Sequence, residues 1–364
     1  MEIAALIIIG VLLFELIILS HEFGHFITAK MSGVKVNEFA LGMGPKLLKF
    51  QKGETLYTLR AFPIGGFCAM EGEDEESDSD RAFGNKAVWK RMIIVIAGAT
   101  MNIILGLLLM FVVVVQQPQY TSTTVSVLDK DNVSHTSGLK VGDKFYSIDG
   151  YRTYTARDME FALSTTKTLT PEIKVVRNGQ TVDLGNVKFP VKTDSTTKKK
   201  SFYIDFHVQP IQRNVLTVIT QTGADSVSVV RMLWTTLGGM ISGQYGLNDI
   251  SGPVGAASAV SQAAGAGLAS STNFWHAFLA ALNNIILMMM LISINLGIVN
   301  MLPVPALDGG RFFFLLVELI FRKPIPKKYE AYVHAAGLVL LLGFMVLITV
   351  SDIARLFNGK GLFG

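Results

Sequence analysis

Residues 3–25 read IAALIIIGVLLFELIILSHEFGH: an almost unbroken apolar run to Ser20, then two histidines and a glutamate, with Glu15 the one acid inside the run. Roughly 20 apolar residues cross a hydrocarbon core, so the run is of bilayer-crossing length. A cleaved leader would carry a basic start and a small-residue cleavage site, and neither is present. Removing the run would also discard the most reactive side chains in the sequence. It therefore reads as a retained first span.

The rest of the composition agrees. Half of the 364 residues are hydrophobic and only 16% are charged, too apolar a balance for a water-soluble enzyme of this length. The net charge of +4 gives no reason to expect a nucleic-acid partner. A single cysteine, Cys68, excludes an internal disulfide and a thiolate cluster, so any metal must be held by histidine and carboxylate.

Three more apolar stretches, 92–115, 278–304 and 332–350, complete a reading as a polytopic α-helical membrane protein with four transmembrane helices. Residues 28–91, between the first two spans, carry Lys30, Lys35, Lys46, Lys49, Lys52, Arg60, Arg81, Lys86, Lys90 and Arg91, whereas Met1-Glu2 carries no basic side chain. The positive-inside rule puts that segment in the cytoplasm and the N-terminus outside. The connection between the third and fourth spans, with Arg311, Arg322, Lys323, Lys327 and Lys328, falls on the same side.

Four regions follow. Residues 1–115 and 278–364 form two halves of a membrane core. Residues 116–209 are predicted to be an inserted extracytoplasmic domain of α+β or β character, with strands over 124–128, 144–148 and 173–176 and a hairpin turn at Asn178-Gly179. Its Gly138-Leu139-Lys140-Val141-Gly142-Asp143 and Ile148-Asp149-Gly150 resemble the bacterial type of PDZ domain. Residues 210–277 are expected to be a helical or interfacial linker, helical near 229–237 and rich in Gly, Ala and Ser over 251–271. The acidic run 71–80 reads as a solvated loop.

His21 and His25 stand four residues apart, so on a helix both imidazoles leave one face and can share a metal ion. Glu22, beside them, can take a proton from water as that water attacks a carbonyl. Ionisable groups at the end of an apolar span are costly and mark function. Catalytic zinc typically uses three protein ligands, so one is missing. The first span runs inward and places the histidines toward its inner end, and the third span also runs inward. It reaches Asn300-Met301-Leu302-Pro303-Val304-Pro305-Ala306-Leu307-Asp308-Gly309-Gly310 at the same depth, where Asp308 is the expected third ligand. Prolines and glycines there fit irregular backbone lining a polar cavity.

The pairing of His21 to His25 with residues 300–310 across four spans resembles the site-2 protease family of intramembrane metalloproteases. Phe62-Pro63-Ile64-Gly65-Gly66-Phe67 and the outer domain resemble its bacterial regulator of sigma-E type, here with one PDZ domain. The resemblance implies that Zn2+ is held by His21, His25 and Asp308 and that Glu22 activates water. It also implies a bacterial inner-membrane location and single-span substrate proteins, often already shortened outside by another protease. Gly65 and Gly66 resemble a membrane-associated hairpin that presents a strand edge to unwound substrate, with a plain turn as the alternative. Gly98 and Asn102 match a Gly-x-x-x-Asn pattern, although Ala99 replaces the usual proline. Asn102 then orients substrate or an oxyanion, or simply knits helices together. Asn300 and Pro303 match positions tied to substrate handling, and helix packing explains either equally well.

Glu15 matches no family motif, and proton delivery or a structural contact would each account for it. His135, His207, His276 and His334 have no second ligand at metal spacing and read as structural or surface groups. A catalytically idle membrane-anchored PDZ binding protein is the alternative reading, against which the intact Glu22 argues. A metal transporter would need polar residues strung along several spans.

Overall fold

The computed structural model describes residues 2–73, 75, 77–129, 133–193, 200–244 and 252–357. Its contacts group into two compact units, residues 1–109 with 239–364, and residues 110–238.

The first unit is built on helices that satisfy their own backbone hydrogen bonds, as a chain in hydrocarbon requires. Helix α1 (Glu2–Met31) is followed by strands β1 (Val36–Lys52) and β2 (Thr55–Met70) and helix α2 (Val88–Gln116). Among the described residues, four helical segments are long and apolar enough to cross a membrane: Ile8–Met31, Val88–Gln116, Phe274–Asn300 and Lys328–Arg355. The first continues well past Ser20, so the two histidines lie within the helix rather than at its end. Bulky apolar side chains stay uncovered on these helices, Leu12 at 62% and Leu347 at 69% exposure among them. Water penalises such a surface and lipid does not.

Strands β1 and β2 make more than a simple hairpin. Residues 39–41 of β1 pair both with Tyr57–Leu59 and with Gly66–Cys68, while Lys49–Gln51 pair with Leu56–Thr58. One stretch of β1 therefore runs between two stretches of β2, and the Gly66 edge pairs on one side only among the described residues. Glu54, at the turn, accepts from Lys30 and Arg81, and Glu38 accepts from Lys46, Thr58 and Arg60. The acidic run that follows is a loop with Glu75, Asp78 and Asp80 exposed, as expected, but its first acids are tied down. Glu71 pairs with Lys35 and Glu73 with Arg311, while Asp74 and Glu76 lie outside the described residues.

The second unit contains a mixed region rich in strands: β3 (Gln119–Leu128), α3 (Val133–Thr136), β4 (Lys144–Ile148), β5 (Tyr151–Arg152), α4 (Ala156–Thr165), β6 (Glu172–Arg177), β7 (Gln180–Asn186), β8 (Val191–Thr193), β9 (Lys200–Phe202) and β10 (Phe206–Gln212). The main sheet has the order β10-β3-β4-β6-β7, all antiparallel, with β5 beside β4. Val125, Leu139, Phe145, Ile148, Ile173, Val175 and Phe206 fill its core. Asn178 and Gly179 both take positive φ, as the expected two-residue turn between β6 and β7 demands.

Helix α5 (Val215–Ile241) is far longer than the stretch predicted near 229–237. Its buried polar face joins it to the strand-rich region: Asp225 pairs with Arg157, Ser228 hydrogen-bonds Thr155, and Arg231 pairs with the fully buried Asp158. Residues 210–238, expected as part of a helical or interfacial linker, fall in the same compact unit as the strands.

The chain returns through α6 (Pro253–Leu268), α7 (Phe274–Asn300), α8 (Asp308–Phe321) and α9 (Lys327–Phe357). Small residues let α6 approach α7 so closely that a Cβ on Gly267 would collide with the Ala281 backbone. Leu6 and Ile17 of α1 pack with Ala281, Ile285 and Met289 of α7 and Val260 of α6. At the start of α6, Asp352 of α9 accepts from the amides of Gly252 (2.9 Å) and Gly255 (2.8 Å), filling a helix terminus that Gly252 itself cannot cap. The connection between the third and fourth spans is largely the helix α8.

Candidate metal centre

Three ligand atoms from two distant stretches of chain meet in the first unit. His21 Nε2 lies 3.2 Å from His25 Nε2 and 3.1 Å from Asp308 Oδ2, and His25 Nε2 lies 3.3 Å from the same oxygen. This is the one group of three such ligands found among the described residues. Zinc bonds of about 2.0–2.1 Å at tetrahedral angles separate neighbouring ligand atoms by about 3.3–3.4 Å, so the triangle matches one face of a zinc tetrahedron.

The proton positions fit a cation as well. His25 Nδ1 lies 2.8 Å from the Ile94 carbonyl, which can only accept, so Nδ1 carries the hydrogen and Nε2 presents a bare lone pair. That lone pair faces a carboxylate oxygen, and two acceptors at this distance call for a positive charge between them. Burial works to raise the Asp308 carboxyl, but where the imidazoles are protonated their hydrogen bonds and charge prevail and hold it below the ordinary carboxylate range, a role that a cation takes when they are neutral. It is therefore the anion a metal ligand has to be.

Local structure explains how the groups arrive. One helical turn separates the histidines on α1. Helix α2 crosses directly beneath them at Gly98, where a Cβ would collide with His25 Nε2 and stand 2.8 Å from His21 Cε1. Gly24 permits the same crossing from the other side, against the Ala97 carbonyl. On the far side of α2, Gly297 of α7 lies against Ala99 and Ile103, and Ser293 donates to the Asn102 carbonyl. Small residues at such crossings are how helices pack closely in lipid. Asp308 opens α8, after a loop in which the amides of Val304 and Leu307 bond back within the loop.

Asn102 is fully buried, with its side-chain nitrogen 3.4 Å from His21 Nδ1 and its amide oxygen left without a hydrogen-bond partner. With Nε2 turned to a metal, His21 Nδ1 holds a hydrogen and needs an acceptor. Exchanging the two ends of the amide supplies one and satisfies the orphaned oxygen. Asn102 thus lies within reach of His21 and away from the surface.

Glu22 is half-buried on α1 beside the ligands. The strand edge comes close to it: a Cβ on Gly66 would stand 3.5 Å from both Glu22 Cγ and Ile18 Cγ2, and 2.9 Å from the Ala40 carbonyl. Gly65 precedes it with positive φ. Asn300 ends α7 half-buried, and Pro303 lies exposed in the following loop. Neither makes a side-chain hydrogen bond to the ligand triangle among the described residues. Glu15 is buried two turns before Glu22, and both its carboxylate oxygens are without hydrogen-bond partners among the described residues. A cavity of about 280 Å³ reaches Asp308 and is lined by Ala306, Leu307, Arg311, His334 and Leu338 as well.

Two residues escaped the sequence reading. Arg311, one turn after Asp308, pairs with Glu73 and so ties α8 to the segment after β2. His334 accepts a hydrogen bond from the Ala306 amide, although a lone histidine carried no signal of this.

Residues 9–344 match the family described as Peptidase family M50. The chain belongs to that family, the site-2 proteases, and is a zinc metalloendopeptidase that works in the membrane. It is 33% identical over 353 residues to a protein of Clostridium acetobutylicum named as a zinc metalloprotease, covering 97% of this chain and 98% of that one. A Clostridium perfringens protein named in the same way is 35% identical over 348 residues, covering 95% and 98%. The regulator of sigma-W protease RasP of Bacillus subtilis is 28% identical over 433 residues, covering 96% of this chain and 99% of RasP.

Proposed function

We propose that this peptidase cuts single-span membrane proteins within or near their membrane segments, with His21, His25 and Asp308 as the zinc ligands and Glu22 as the general base. The observation that carries the proposal is the convergence of two imidazole nitrogens and one carboxylate oxygen, all within 3.3 Å, on the helix that also bears Glu22.

Zinc bound there supplies Lewis-acid polarisation of the scissile carbonyl. Glu22 takes the proton of the attacking water and returns it to the leaving amine. Asn102 and the Ile94 carbonyl hold the two imidazoles in the tautomer that frees Nε2. The one-sided edge at Gly66 offers main-chain hydrogen bonds to an extended peptide, next to Glu22 and without demanding particular side chains. A helical substrate must unwind first, because a regular helix keeps its carbonyls bonded. The cavity at Asp308 gives water a route to the site.

The basic segment 28–91 supports a bacterial inner-membrane topology with the N-terminus and inserted unit outside and the active site toward the cytoplasm. A PDZ-like character for 116–209 is supported by the Gly138–Asp143 turn, in which Leu139 enters the core while Asp143 holds the Lys140 amide and Arg177. The unit then acts as a docking or size-filtering module. Substrates already shortened outside by another protease fit that arrangement, and the name of the sigma-W regulator among the relatives supports anti-sigma factors as one substrate class.

The test is cleavage of a single-span reporter by wild type and Glu22→Gln in membranes, with zinc measured in both purified proteins. Cleavage should vanish while zinc remains. Equal cleavage by the two proteins removes the assignment of Glu22.

A further inference from the structure

The loop between α7 and α8 must turn the chain so that Asp308 faces two imidazoles on another helix, and it does so with poor means. Pro303 and Pro305 have no amide hydrogen to give, and a cavity separates Ala306, Leu307 and Asp308 from part of α9. Ala306 takes φ +76°, a left-handed conformation that crowds the Cβ of any L residue. Its amide, two residues before Asp308, points away from the loop and donates to His334 Nδ1 at 3.0 Å. Leu307 then returns to extended backbone, with φ −101° and ψ 162°, and α8 begins.

His334 is well placed to hold this turn. It lies on α9, half-buried, with its ring 5.7 Å from the ring of Phe314 on α8. One turn further on, Gly337 presents no side chain on the same face, and Pro305 occupies the space a Cβ would need. The fourth span thus touches the loop at two adjacent residues, Pro305 by close contact and Ala306 by a hydrogen bond. An ionisable side chain within a membrane helix is expected to have such a specific partner.

We infer that His334 is a positioning residue for the metal site: it fixes the strained Ala306 turn, and through it the direction of the Asp308 carboxylate. This rests on the assignment of Asp308 as a zinc ligand. Without the acceptor on α9, the Ala306 amide is left unpaired, and only the Leu307-to-Val304 hydrogen bond and the packing of Pro305 against Gly337 and Gly310 remain to hold the left-handed conformation. The Asp308 oxygen then leaves the triangle. Glycine adopts positive φ without steric cost, so a glycine at position 306 holds the turn with less help.

The test measures zinc retained by the purified full-length protein against increasing chelator, for wild type, His334→Ala, His334→Asn, Ala306→Gly, His334→Ala with Ala306→Gly, and Asp308→Ala. His334→Ala should bind zinc about 10–100-fold more weakly, the usual effect of losing a group that orients a ligand. Asparagine places an acceptor oxygen where Nδ1 stood and should retain near wild-type binding. The double variant should recover most of the loss, which a general packing defect would not. His334→Leu, bulky but without an acceptor, carries the same comparison if the alanine variant does not fold. Wild-type affinity in both non-acceptor variants overturns the inference, as does a double variant as weak as His334→Ala. Unchanged zinc in Asp308→Ala overturns the ligand assignment itself and this inference with it. Zinc lost in Asp308→Ala but held in His334→Ala and His334→Leu overturns the positioning role alone.

Discussion

At the scale of single residues, the centre depends on what is missing as much as on what is present. A methyl group at Gly98 has no place to go except into the two imidazoles, and the backbone of α2 is held on its other face by Gly297 and Ser293. Gly98→Ala should therefore push the ligands apart and weaken zinc binding by about 10–100-fold, read as metal content after chelator challenge. A variant with full zinc and full activity would show that α2 can retreat. Asn102→Leu keeps the bulk but removes the acceptor for His21, and about a tenfold loss of zinc affinity is expected by the same measurement. The His-Glu-x-x-His spacing was legible because it is local, the product of one helical turn. Gly98 was legible only as a pattern, since the atoms that require it belong to another helix. His334 was legible only as a structural or surface group, because its partner is a backbone amide whose unusual conformation no composition announces.

At the scale of elements, charge pairs hold the β1–β2 structure, and they titrate. Glu54 is held down to about 2 by hydrogen bonds from Arg81 and Lys30. Glu38 also falls to about 2, because Lys46, Thr58 and Arg60 outweigh the burial that would raise it. A carboxyl depressed in the folded state stabilises the fold fully above its ordinary pKa and loses that contribution as pH falls toward the folded value. The strands should thus be stable at pH 6 and loosen between about 4.5 and 2, seen as faster amide exchange over residues 36–70. Glu38→Gln should flatten that dependence. In the inserted unit, Asp158 is fully buried and accepts from Arg231, Ser228 and the amides of Tyr154 and Thr155. Asp158→Ala leaves the half-buried Arg231 guanidinium without its anion and two backbone amides without their acceptor, and should cost about 2 kcal/mol in that unit's unfolding. The strands over 144–148 and 173–176 and the Asn-Gly turn were readable from alternation and turn chemistry. Helix α5 was largely unread, because its buried face is made of Asp and Ser rather than an apolar stripe. Helix α8 hid behind Asp308-Gly309-Gly310, which reads as a turn in sequence and works as a helix start only because both glycines pack against the preceding loop.

At the scale of the whole molecule, the four apolar helices followed from length and hydropathy alone, whereas the division into units did not. Residues 210–238 looked like a connector and instead share ion pairs to buried carboxylates with the inserted unit. Deleting 116–209 would strip α5 of the partners of Asp225 and Ser228, so removal of the filter is cleaner when α5 is shortened with it. Such a protein should cut full-length single-span substrates more freely than wild type in a membrane assay, and no gain would end the filter idea. The last helix carries a quieter lesson. Asp352 sits near the C-terminal end of α9 and satisfies two amides at the opening of α6, a helix that lies next to α7. A truncation within α9 that removes Asp352, or a fusion that frays the turns carrying it, would strand those donors and slacken the wall behind the third span. Preparations shortened at the tail can therefore fail for reasons far from the chemistry.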